Sequence, residues 1–129
     1  MLSQQEKEFF ISITRGAESL SGGGIKEGAL IIYGRRILSY GCHRTIDNFG
    51  KWGISAIYDA LFGARDINLI GAILFSTRFP KSDELKLIVS CGIKTLYFLG
   101  EVNDVESVQL ANDLPKSGIE FEIIKLQEK

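Results

Sequence analysis

The second half of the chain alternates strand and helix patterns, and few folds satisfy that order. Gly71-Ala72-Ile73-Leu74-Phe75-Ser76 is an apolar run of strand length. Pro80 then opens a stretch whose apolar residues Leu85, Ile88 and Val89 recur at helical spacing before Gly92, and proline favours a helix start. Thr95-Leu96-Tyr97-Phe98-Leu99 is the next strand. Val105, Val108, Ala111 and Leu114 mark another helix, broken near Pro115, and Ile119-Glu120-Phe121-Glu122-Ile123-Ile124 is the last strand. Strands separated by helices pair in parallel through right-handed crossovers.

The first half adds a helix, a hairpin and a second helix. Ser3 and Glu6 form a capping-box pattern ahead of Phe9, Phe10, Ile13, Ala17 and Leu20. Ser21-Gly22-Gly23-Gly24 ends that helix. This glycine run follows a helix and is not closed by Lys-Ser or Lys-Thr, so it reads as a linker and not as a phosphate cradle. Gly28 to Tyr33 and Ile37 to Tyr40 flank the turn Gly34-Arg35-Arg36, the pattern of a hairpin. A polar loop runs from His43 to Gly50. Ile54, Ile57, Tyr58, Leu61 and Phe62 then line one helical face up to Gly63. The expectation is an α/β fold of three layers, α/β/α. Its five-stranded mixed sheet has helices on both faces, an antiparallel opening hairpin and parallel last strands.

Size and charge narrow the function classes. At 129 residues the chain is expected to form one domain, residues 1–129, burying roughly two thirds of its unfolded surface. A net charge of −1 gives no general attraction to nucleic acid or membrane, and neither is expected as a partner. The amino-terminal Met1-Leu2-Ser3-Gln4-Gln5-Glu6 lacks a basic segment followed by an apolar run, and no apolar stretch approaches the length of a membrane span. Two cysteines, Cys42 and Cys91, are too few for a disulfide scaffold, so free thiols and a cytoplasmic location are expected. The single histidine, His43, limits metal and acid–base chemistry.

Several segments carry a resemblance. Gly28-Ala29-Leu30-Ile31-Ile32-Tyr33-Gly34-Arg35-Arg36-Ile37-Leu38-Ser39-Tyr40-Gly41 resembles the first hairpin of cytidine and deoxycytidylate deaminases. Gly71 to Pro80 is similar to the family's strand before its Pro-Cys-x-x-Cys motif. Leu87 to Tyr97, with Gly92-Ile93-Lys94, is similar to the segment after it. Ser55-Ala56-Ile57 resembles the tail of the family's His-Ala-Glu-x-Asn-Ala-Ile helix. The resemblance runs from about Phe9 to Ile124 and is greatest to the deoxycytidylate branch.

In that family a histidine or cysteine and two cysteines hold zinc, whose bound water becomes hydroxide near neutrality, and a glutamate shuttles protons. Carried over position by position, the first ligand falls on Lys51 and the glutamate on Gly53. The two cysteines fall on Lys81 and Glu84, the intervening alanine on Trp52, and a sugar-contacting asparagine on His43. A protonated lysine has no lone pair for a metal, glycine cannot move a proton, and one carboxylate does not make a tetrahedral site. The resemblance therefore implies a degenerate active site at Lys51, Gly53, Lys81 and Glu84, without catalytic residues, metal or cofactor. Lys81 and Glu84 stand at i, i+3, so Glu84 between Lys51 and Lys81 could fill the position of zinc; alternatively all three face solvent. His43, Trp52, Thr77 and Phe79 are candidates for a remaining ligand pocket. His43 also reads as a solvated loop residue, and Trp52 as a filler of the pocket or an interface residue.

The expectation is a catalytically inactive assembling or regulatory subunit, which pairs with itself as a homo-oligomer or with an active deaminase relative. Exposed apolar residues around Trp52, Tyr58 and Phe62 would form its interface. One alternative is a sensor that keeps a nucleotide or nucleobase in the pocket. Another is an enzyme with chemistry based on Lys51 or Lys81.

Overall fold

The computed structural model describes residues 2–22, 25–45, 53–102 and 104–127. Helix α1 (Gln4–Glu18) starts at the expected capping box. The Ser3 hydroxyl accepts from the Glu6 N–H, and the Glu6 carboxylate accepts from the Ser3 N–H. Strands β1 (Gly28–Tyr33) and β2 (Arg36–Cys42) form the antiparallel hairpin. Two short strands, β3 (Arg44–Thr45) and β4 (Gly53–Ile54), make a separate ribbon. Helix α2 (Ala56–Gly63), strand β5 (Ile73–Ser76), helix α3 (Ser82–Ser90), strand β6 (Thr95–Phe98), helix α4 (Val105–Lys116) and strand β7 (Glu122–Lys125) complete the order.

The five-stranded sheet runs β2-β1-β5-β6-β7. β1 is antiparallel to β2 and β5, whereas β5, β6 and β7 are mutually parallel. This is the expected mixed sheet with a parallel end. Successive residues of each strand serve opposite faces. Ala29, Ile31, Leu74 and Leu96 join Ile57 and Ala60 of α2 and Ile88 of α3 in one core. Leu30, Ile32, Phe75 and Tyr97 join Leu2 and Phe10 beside α1 in the other. Phe75 stacks on Tyr97 with centroids 4.9 Å apart. Among the described residues, no helix is long and apolar enough to cross a membrane.

Four local expectations are corrected. Pro80 is not the first helical residue: Lys81 is the N-cap of α3 and Pro80 lies buried just ahead of it. Ile54 belongs to β4 and not to α2, because the Ser55 hydroxyl accepts from the Tyr58 N–H and starts the helix one residue later. In α4 the buried residues are Ser107 and Leu114, while Val105 is 84% exposed, so Val105 and Val108 do not form a core stripe. That helix also continues through Pro115 to Lys116, since a proline in the last turn displaces little beyond its own N–H.

Candidate functional site

Of the expected site residues that are described, Thr77 and Phe79 follow β5, Lys81 and Glu84 begin α3, and Gly53 lies in β4 just ahead of α2, outside the carboxyl end of a parallel strand, where α/β sheets hold their ligands. Lys51 and Trp52 lie outside the described residues. Glu84, in the first turn of α3, is 1% exposed. A carboxylate this deep needs partners, and it has four. Arg78 donates from Nη1 to Oε1 (2.8 Å) and from Nη2 to Oε2 (2.7 Å). The Lys81 N–H donates to Oε1 at 2.8 Å, and the Ser55 hydroxyl donates to Oε2.

Arg78 commits four of its five N–H donors to this cluster and its surroundings. Its Nε donates to Glu27 Oε2, and Nη1 also donates to the Phe79 carbonyl at 3.1 Å. Glu27, another buried carboxylate, accepts from the Ala56 N–H at 2.9 Å. The result is a buried Glu27–Arg78–Glu84 ion cluster joining the start of β1, the exit of β5 and the first turns of α2 and α3. Burial penalises the charge of Glu84, but Arg78, Ser55 and the Lys81 N–H outweigh it and hold the carboxyl below its ordinary range. Burial likewise opposes the Arg78 charge, and the two carboxylates outweigh it and raise its pKa.

A second tie lies alongside. The Tyr58 hydroxyl donates to Asp83 Oδ2 at 2.6 Å, joining α2 to α3. The carboxylate, helped by burial, pushes the phenol up to about 12, and the phenol holds Asp83 below its ordinary range.

The remaining candidates are spent on the scaffold. Lys81 enters the cluster only through its backbone, and its side chain is exposed. It therefore makes no ammonium pair with Glu84; Arg78 takes that part. Thr77 Oγ1 accepts from the Gly28 N–H at 2.9 Å, and Phe79 packs edge-on against Phe98 at 5.0 Å. His43 is not a solvated loop residue. It is 8% exposed, its Nδ1 lies 3.3 Å from the Gly22 carbonyl, and its N–H donates to Ser21 Oγ. Ser21 Oγ in turn donates to the Glu27 carbonyl at 2.7 Å, so His43 adjoins the ion cluster through one residue.

The described residues do not fit zinc. The one carboxylate at the expected ligand positions has its lone pairs committed to four donors, with a guanidinium beside it. Among the described residues, no three His, Cys, Asp or Glu side chains are grouped to hold a metal ion. Cys42 and Cys91 are free thiols.

Arg78, Glu27 and the hydroxyl of Ser55 are the site residues that sequence reading missed. Their only signal is position: a charge two residues after β5, a charge directly before β1, and a helix-capping serine.

Surface grooves flank both sheet faces. One of about 930 Å³ lies beside α1, lined by Lys7, Tyr97 and Glu122, away from the site. One of about 510 Å³ runs between α2 and α3 and reaches Gly53.

The chain has the fold of the cytidine deaminase superfamily. It superposes on the dCMP deaminase of cyanophage S-TIM5 with a TM-score of 0.80 at 21% identity, covering 97% of this chain and 100% of that one. That enzyme has also been solved with dCMP and dUMP, at a TM-score of 0.79. A Thermotoga maritima diaminohydroxyphosphoribosylaminopyrimidine deaminase/5-amino-6-(5-phosphoribosylamino)uracil reductase matches at 0.76 and 22% identity, over 94% of this chain and 36% of that one. A structure from a study of tRNA A34 deaminases matches at 0.73 and 18%, over 94% and 99%. No protein-family model matches the chain, and no curated protein matches it.

Proposed function

We propose that this chain is a non-catalytic member of the deaminase fold that acts as an assembling subunit. The observation that carries the reading is the state of Glu84. It stands where the resemblance expects a metal-binding cysteine, and its carboxylate is committed to Arg78, Ser55 and the Lys81 N–H. Hydrolytic deamination of a pyrimidine needs an activated water and a proton shuttle. Gly53, the counterpart of the shuttle, offers no side chain.

Assembly is supported by the groove between α2 and α3. Ile54, Leu61, Phe62, Leu87 and Cys91 line it, and Phe62 is 67% exposed at its rim. An apolar groove of this kind suits a second copy of the chain or a deaminase-fold relative. The sensor reading loses support because Thr77 and Phe79 are used in holding β1 and packing on Phe98.

The test is an ultraviolet assay of cytidine, deoxycytidine and their monophosphates, with elemental analysis of the same sample. No conversion and no stoichiometric zinc are expected. Turnover that survives repurification would overturn the reading.

A further inference from the structure

We propose that the Arg78 guanidinium is the structural cross-link of this end of the sheet, standing in for a metal ion. The comparison with a metal rests on the reading of Glu84 given above; the cross-link itself rests on geometry.

Two carboxylates from distant parts of the chain, Glu27 and Glu84, meet on one guanidinium, and the Ser55 hydroxyl joins them through Glu84. Glu27 and Arg78 are 51 residues apart, and Ser55 and Glu84 are 29 apart. Through them Arg78 holds the entry to β1, its own loop after β5, the first turn of α3 and the N-cap of α2. The planar fork of arginine suits such a junction, because it fixes direction as well as charge.

The charges also balance. Two buried carboxylates face one guanidinium, which leaves one negative charge. Glu27 accepts from Ala56 N–H, the first residue of α2, and Glu84 sits in the first turn of α3. Each helix N-terminus supplies roughly half a positive charge. The cluster is thus near neutrality without any metal, and among the described residues no buried side-chain nitrogen or oxygen lacks a partner. Removing the guanidinium leaves two uncompensated carboxylates beside each other, the costly way to break a buried ion pair.

The experiment uses the full chain, with thermal unfolding of the native protein, Arg78→Met, Glu84→Gln, the double variant and Arg78→Lys. Arg78→Met is expected to lower Tm by roughly 10–20 °C. The double variant should fall by less than the sum of the two single changes. Arg78→Lys should rescue only part of the loss, because an ammonium cannot fork. Chelation with EDTA should leave the native Tm unchanged. If Arg78→Met does not fold, Arg78→Lys and the chelation series carry the test.

A Tm for Arg78→Met within about 3 °C of native, strictly additive single and double losses, or a Tm that falls on chelation would each overturn the cross-link. A protein that deaminates dCMP yet loses Tm on Arg78→Met keeps the cross-link and loses the non-catalytic reading. A protein that neither deaminates nor responds to Arg78→Met does the reverse.

Discussion

The imidazole of His43 occupies the space that a side chain at Gly53 would need. A Cβ at Gly53 would lie 2.7 Å from both Cε1 and Nε2 of that ring, well inside van der Waals contact. The His43 ring is buried, with Nδ1 3.3 Å from the Gly22 carbonyl, so it has little room to swing away. Gly53→Ala should cost about 1–3 kcal/mol in urea unfolding, as overpacking does. The His43→Ala change combined with it should recover part of that loss. Additive losses would show that the ring does not set the size of residue 53. The same contact implies that Gly53→Glu cannot restore a proton shuttle without a second change at His43.

A harder steric limit holds α2 on the sheet. A Cβ at Gly41 would lie 2.2 Å from the Ala56 carbonyl oxygen and 2.5 Å from the Ala60 nitrogen, both backbone atoms. Backbone cannot repack as a side-chain tip can. Gly41→Ala should therefore cost about 3 kcal/mol or more, measured by denaturant midpoint. A loss below about 1 kcal/mol would mean that β2 and α2 approach less closely than described.

Acid should loosen the fold through Glu84. Its carboxyl is held below the ordinary value of 4.5, so its contribution to stability is fully present above that value. The contribution drains away as pH falls through 4.5 toward the lower folded-state pKa. Asp83 acts in the same direction through Tyr58. Glu6, lowered to about 2 by the Ser3 N–H and Arg35, also does so, but its partner Arg35 is exposed and the pair lies at the surface, where salt screens it. A series of Tm values from pH 7 to pH 2 in 1 M salt should show an acid limb. Glu84→Gln should flatten that limb, and an unchanged limb would remove Glu84 as its source.

The element order was legible because periodicity reports burial directly. Leu30 and Ile31 serve opposite faces of β1 as a strand requires, and Ile57 and Leu61 serve one face of α2 as a helix requires. Val105 misled because its apolar side chain lies on the solvent side of α4, while Ser107 is buried. Ile54 misled because it matches the helical spacing of α2 but precedes the Ser55 cap. The ion cluster was only half legible. Glu84 stood out by position, but nothing local to Arg78 or Glu27 marks a buried charge. Their pairing is a tertiary contact across 51 residues. Their places at the ends of β5 and β1 are visible in the sequence, but that they pair across the sheet is not.

The groove between α2 and α3 yields the last prediction. Phe62 is more exposed than a soluble surface ordinarily leaves a phenylalanine, and Arg65 covers only one side, 4.7 Å from the ring centroid. Burying an aromatic side chain of this size at an interface contributes about 2 kcal/mol or more where it acts as an anchor. The native chain should therefore exceed the mass of one copy in light scattering at tens of micromolar. Phe62→Asp should weaken association by roughly 30-fold or more, which is about 2 kcal/mol, and move the mass toward a single copy. Since Phe62 makes little of the folded core, the variant should keep a native-like circular dichroism spectrum. A native mass of one copy at every concentration would remove self-assembly. An oligomer indifferent to Phe62→Asp would place the interface elsewhere on the surface.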